Sequence, residues 1–73
     1  MSATTDRIAS KLADETLEVM DQTGNDRFYL SVAQMIGAAS QTLEEAYLTE
    51  VRVRMAGRQA MTFIRKHKKK TEG

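Results

Sequence analysis

Apolar residues recur every three to four positions from near the start of the chain to about residue 51. That is the period of a helix, not of a strand. Over 6–23, Ile8, Leu12, Thr16 and Val19 form one stripe, with Ala9, Ala13 and Met20 beside it. Arg7, Lys11, Asp14, Glu15, Glu18 and Asp21 fall on the opposite face, and Lys11–Glu15 is an i,i+4 pair. The spacing predicts an amphipathic helix over 6–23, capped by Thr4 or Thr5, with residues 1–5 a disordered N-terminus. Thr23-Gly24-Asn25-Asp26 ends it. Gly24 suits the left-handed position after a helix, and Asn25 or Asp26 can cap the next one.

A second stripe of Phe28, Val32, Met35, Ile36 and Ala39, with Tyr29 and Ala33 beside it, predicts a helix over 27–39. The pattern continues in phase through Leu43, Ala46 and Tyr47, which leaves two architectures open. An unbroken helix over 26–67 would be ~60 Å long, and the first helix, at ~26 Å, would cover less than half of it. That is an antiparallel helical hairpin. A break between Gly37 and Thr42, with Thr42-Leu43-Glu44-Glu45 as a capping box, gives a small three-helix arrangement with its last helix over 42–67. The broken form is the preferred reading. Both are all-α, and both make residues 1–73 a single small helical domain.

After residue 50 the pattern changes character. The face holding Leu43, Tyr47 and Val51 is continued by Arg54, Arg58, Arg65 and Lys69, so its core contact should end near Val51. Ala56, Ala60, Met61, Phe63 and Ile64 lie on another side. Gly57 is expected to mark a kink or a close helix contact, and residues 68–73 a disordered basic tail.

Composition sharpens the picture. A chain this short buries a small fraction of its surface. Its apolar groups include nine Ala and five Met, with two Phe, two Tyr and no Trp. A monomer core built from alanine is thin, which points to a homo-oligomer or a partner-stabilised fold. Methionines suit adaptable contact surfaces. The absence of Cys removes disulfides and thiolate metal sites. His67 is the lone histidine, set among lysines. With no Cys–His pair, no phosphate-cradling glycine loop and no inward Glu-x-x-His pair, the chain is expected to be no enzyme. No cofactor, metal or small-molecule substrate is expected either. No stretch reaches the ~20 apolar residues of a membrane span. The N-terminus lacks the layout of a signal peptide, so a cytoplasmic location is expected.

The net charge of +1 hides a strong polarity. Residues 1–50 carry three basic and nine acidic side chains, a net of −6; residues 51–73 carry eight basic and one acidic, a net of +7. Arg52, Arg54 and Arg58, followed by Arg65, Lys66, Lys68, Lys69 and Lys70, form the candidate surface for an acidic partner. Runs of this kind bind phosphate backbones without reading sequence. A membrane-surface role is less favoured, because few apolar groups flank the run. The acidic first helix of one chain could also meet the basic end of another.

One local pattern bears on nucleic acid. In residues 32–43, Ala33, Gly37 and Leu43, supported by Ile36 and Ala46, resemble a helix-turn-helix DNA-binding motif: a small residue where two helices cross, a turn glycine, and apolar locks. That resemblance implies that Ser40, Gln41 and Glu44 point into the major groove. Against it, Glu44 and Glu45 would sit beside phosphates, and an Ala-x-x-x-Gly spacing also serves plain close packing. The first expectation is therefore a non-enzymatic helical interaction module, a regulatory, adaptor or assembly subunit whose basic C-terminal helix engages an acidic partner. The alternative is a DNA-binding regulator using residues 32–48, with the basic tail as phosphate anchor.

Overall fold

The computed structural model describes residues 2–68. It contains three helices: α1 (Ala3–Thr23), α2 (Phe28–Ala39) and α3 (Gln41–Lys66). The chain is all-α, and the three-helix arrangement holds in place of the hairpin. Lys69 and Lys70, and most of the proposed 68–73 tail, lie outside the described residues.

Each helix boundary has a local cause. α1 starts earlier than the sequence suggested, because Ser2 rather than Thr4 or Thr5 is its cap. Ser2 is extended, and its Oγ accepts the Thr5 backbone N–H at 3.0 Å. Residues 3–5 are therefore helical instead of disordered. Gly24 ends α1 as expected, at φ 75°, and donates its N–H to Met20 O at 2.9 Å. Asn25 and Asp26 do not cap α2; Arg27 holds that position. Asn25 Oδ1 instead accepts the Arg27 N–H, tightening the turn.

A single extended residue, Ser40 (φ −159°, ψ 110°), separates α2 from α3. Its N–H closes α2 onto Ile36 O at 2.8 Å, and its Oγ accepts the Leu43 N–H at 3.1 Å. One serine thus ends one helix and caps the next. The Thr42–Glu45 capping box is not used, since the helix has already begun at Gln41.

Alanine dominates the core. Ala9, Ala13 and Leu17 of α1, Ala33 of α2, and Ala46, Tyr47 and Val51 of α3 are buried, with Tyr47 and Val51 the largest fully enclosed side chains. Tyr47 joins all three helices. Its hydroxyl lies 3.0 Å from Thr16 Oγ1 on α1 and donates to Tyr29 O on α2 at 3.2 Å. That satisfies a phenol that would otherwise be costly to bury. Burial pushes the Tyr47 pKa up from its ordinary 10.0, an effect the Thr16 hydrogen bond partly offsets.

The buried face of α1 differs from the expected stripe. Ala9, Ala13, Thr16 and Leu17 face inward, while Ile8 is left 45 % exposed. The helix is turned by about a quarter of a revolution relative to its bulkiest apolar line. On α2 only Ala33 is fully buried, and Met35 is 77 % exposed.

Asp14 meets Arg54 and Asp21 meets Arg58, so α1 packs along the second half of α3. At 12 residues against 26, α2 reaches less than half the length of α3. The particle is elongated, 52 × 28 × 13 Å, with a radius of gyration of 15.1 Å. A compact chain of this length would be near 11 Å. Much apolar surface therefore stays uncovered.

Candidate partner-binding surface

The basic residues of α3 divide into two groups. Arg54 is committed to the fold. Its Nε donates to Asp14 Oδ1 at 2.8 Å, Nη1 to Glu50 Oε1 at 2.6 Å, and Nη2 to Ser10 Oγ at 2.8 Å. Two further bonds reach the carbonyls of Glu50 and Ser10, and only 23 % of the side chain is exposed. Glu50 first, then Asp14, hold the Arg54 pKa above its usual value. Arg58 grips both carboxylate oxygens of Asp21, at 2.9 and 3.2 Å, and that pairing raises its pKa. Of the arginines expected on the basic surface, Arg54 and Arg58 are thus paired with carboxylates of the chain itself, Arg58 while still more than half exposed.

Arg52, Arg65, Lys66 and Lys68 behave otherwise. All four are exposed, and among the described residues no carboxylate lies within ion-pair distance of any of them. Arg65 and Lys66 occupy the last turn of α3, where cations suit the negative end of the helix dipole. His67 closes the helix. Its N–H donates to Ile64 O at 3.1 Å, its Nδ1 lies 3.0 Å from Phe63 O, and its ring packs 4.5 Å from that of Phe63. Beside this basic end, Phe63 and Ile64 are 64 % and 53 % exposed, and Val53, next to Arg52, is 64 % exposed.

The helix-turn-helix residues come together only in part. Ala33 and Ala46 are buried, Ile36 and Leu43 half-buried, so the crossing and locking positions do pack. Gly37 is not a turn residue. It lies inside α2, and Gly24 alone among the described residues has positive φ. A methyl group built on Gly37 would stand 2.5 Å from Glu44 Oε1, so the glycine leaves room for that carboxylate. The turn falls at Ser40, whose hydroxyl is occupied by the cap; Gln41 is exposed, and Glu44 is half-buried against Gly37.

Between α1 and the second half of α3 runs an open groove of about 590 Å³, with Leu17, Gly57 and Met61 along it and Asp14, Asp21, Arg54 and Arg58 at its edges. Gly57 lies within the continuous run of α3, and nothing lies within 4 Å of a methyl group built there, so it does not mark a close helix contact. Among the described residues, no group of three or more His, Asp or Glu side chains could hold a metal ion. No described helix is long and apolar enough to cross a membrane.

Sequence reasoning missed Ser10, Asp14 and Asp21 as partners of the arginines. A signal existed: Asp14 and Asp21 are seven residues apart, two helical turns, and so share a face. No protein-family profile, curated protein or solved structure matches the chain.

Proposed function

We propose that this chain is a non-enzymatic helical interaction module whose basic end, Arg65, Lys66 and Lys68 with Arg52 upstream, attaches to an acidic partner. One observation carries the reading. Arg54 and Arg58 each hold a carboxylate of α1, whereas the cations at the end of α3 hold none among the described residues. Residues 51–71 contain no Asp or Glu, so nothing along that stretch of sequence offsets them. Like charges kept together and solvated are suited to an anionic surface.

Packing of Ala33 against the start of α3 favours a second reading, a helix-turn-helix regulator. It ranks below the first because Gly37 serves Glu44 and not a turn.

Fluorescence anisotropy with a labelled polyglutamate peptide, and with a short duplex of arbitrary sequence, separates these. Wild type should bind an anionic probe at about 50 mM salt and lose affinity steeply by about 200 mM. Charge reversal of Arg65, Lys66 and Lys68 to Glu should abolish binding. A wild type that binds neither probe contradicts the first reading. Sequence-selective duplex binding abolished by Gln41→Ala would establish the second.

A further inference from the structure

The outer side of α3 carries more than charge. Val53, Ala56, Ala60, Phe63 and Ile64 fall within an arc of about 100° on the helix. All five are exposed. This arc points away from Arg54 and Arg58, which bind α1, so neither α1 nor the shorter α2 covers it. The spacing 53-56-60-63 alternates three and four, the repeat of a seam between two packed helices.

We propose that the partner is an amphipathic α-helix with acidic borders, docked lengthwise on this stripe. The inference rests on the reading that the basic end of α3 is an attachment surface, and it names the occupant. Arg52 and Lys66 flank the stripe on one side, one towards each end, and Lys68 follows just beyond it, whereas Arg65 shares the opposite side with Arg54 and Arg58. A second copy of α3 on the same stripe would place like charges against one another. A facing helix with Asp or Glu at its bordering positions would pair with them while its apolar residues cover Phe63 and Ile64.

Two other anionic surfaces fit less well. A nucleic-acid backbone would match the cations but leave Phe63, Ile64 and Val53 in water. A bilayer would take up bulky side chains along the whole stripe. Here Ala56 and Ala60 leave a shallow depression between Val53 and Phe63, a shape that accepts the side chains of a facing helix.

The test uses the full chain and a labelled synthetic helix of about three heptads, with Leu at the seam positions and Glu at the bordering ones. The same peptide with Lys for Glu is the control. The Glu peptide should bind and the Lys peptide should not. Phe63→Asp should weaken binding at least about tenfold, as should Ala60→Arg, which adds positive charge while filling the depression. Both sites are exposed, and helicity by circular dichroism should match wild type.

If both variants bind the Glu peptide as wild type does, attachment is by charge alone and the helix-docking inference falls. If charge reversal at Arg65, Lys66 and Lys68 also leaves binding intact, the attachment reading falls with it. Sedimentation of the wild type as a dimer that Phe63→Asp dissociates would assign the stripe to a second copy. Binding to phosphatidylglycerol vesicles without binding to the peptide would assign it to a membrane. Either result overturns the inference.

Discussion

Both terminal nitrogens of Arg58 contact the carboxylate of Asp21, at 2.9 and 3.2 Å, thirty-seven residues away in sequence. Four residues earlier, Arg54 reaches Asp14 and Ser10 on the same helix. Together they clamp the second half of α3 to α1, beyond the point where Val51 ends the buried core. They also account for the rotation of α1. Turning Ile8 toward the core would carry Asp14 and Asp21 away from the arginines. The alanine face lets the helices approach closely and keeps both pairings.

Arg54→Ala should therefore destabilise the fold, although on charge alone it resembles the other basic residues. The side chain is three-quarters buried and makes bonds to three residues, so its loss should cost about 1–2 kcal/mol in urea unfolding. Arg58→Ala should cost less, with an effect that fades in high salt, since that pair is more than half exposed. Arg65→Ala and Lys66→Ala should leave the unfolding midpoint unchanged.

Tyr47→Phe removes the one polar atom shared by all three helices. Two hydrogen bonds are lost with little change in volume, so a destabilisation of about 1 kcal/mol is expected. The pH profile supplies a second signature. Folded Tyr47 keeps its proton above the ordinary value of 10.0, so the stability it supplies is complete below that pH and falls as pH rises beyond it. Tyr47→Phe should flatten this alkaline slope in a melting series.

The glycines should divide by conformation. Gly24 has φ 75°, so Gly24→Ala should destabilise by about 1 kcal/mol. Gly57 is helical with open space around it, and Gly57→Ala should stabilise by about 0.5–1 kcal/mol. Gly37→Ala should be close to neutral. The gain in helix propensity is offset by the need to move the end of the flexible Glu44 side chain. Were Gly37 a turn glycine, the same change would be strongly destabilising in thermal melts.

How much of this was legible in the sequence differs by level. Helical periodicity, the Gly24 stop and the end of the core at Val51 could all be read directly. The break near residue 40 was readable as a region, but its mechanism was not. Ser40 and Thr42 are both good caps, and tertiary contact decides between them. Side-chain size points to the wrong face of α1, because small residues set how closely two helices can pack. That same displacement hid the partners of Arg54 and Arg58, since Asp14 and Asp21 then seemed to face solvent. Charge counting located the cationic segment but could not say which of its members the fold consumes.

The account turns on that division, and one binding comparison tests it most directly. The salt-dependent affinity of the full chain for polyglutamate should be measured beside two variants, Arg65→Glu/Lys66→Glu/Lys68→Glu and Arg58→Ala. The first should lose binding while melting like the wild type. The second should weaken it only modestly, because Arg58 is already matched to Asp21. Undiminished binding by the first variant, with loss in the second, would move the attachment surface onto an arginine that we assign to the fold and would contradict the account.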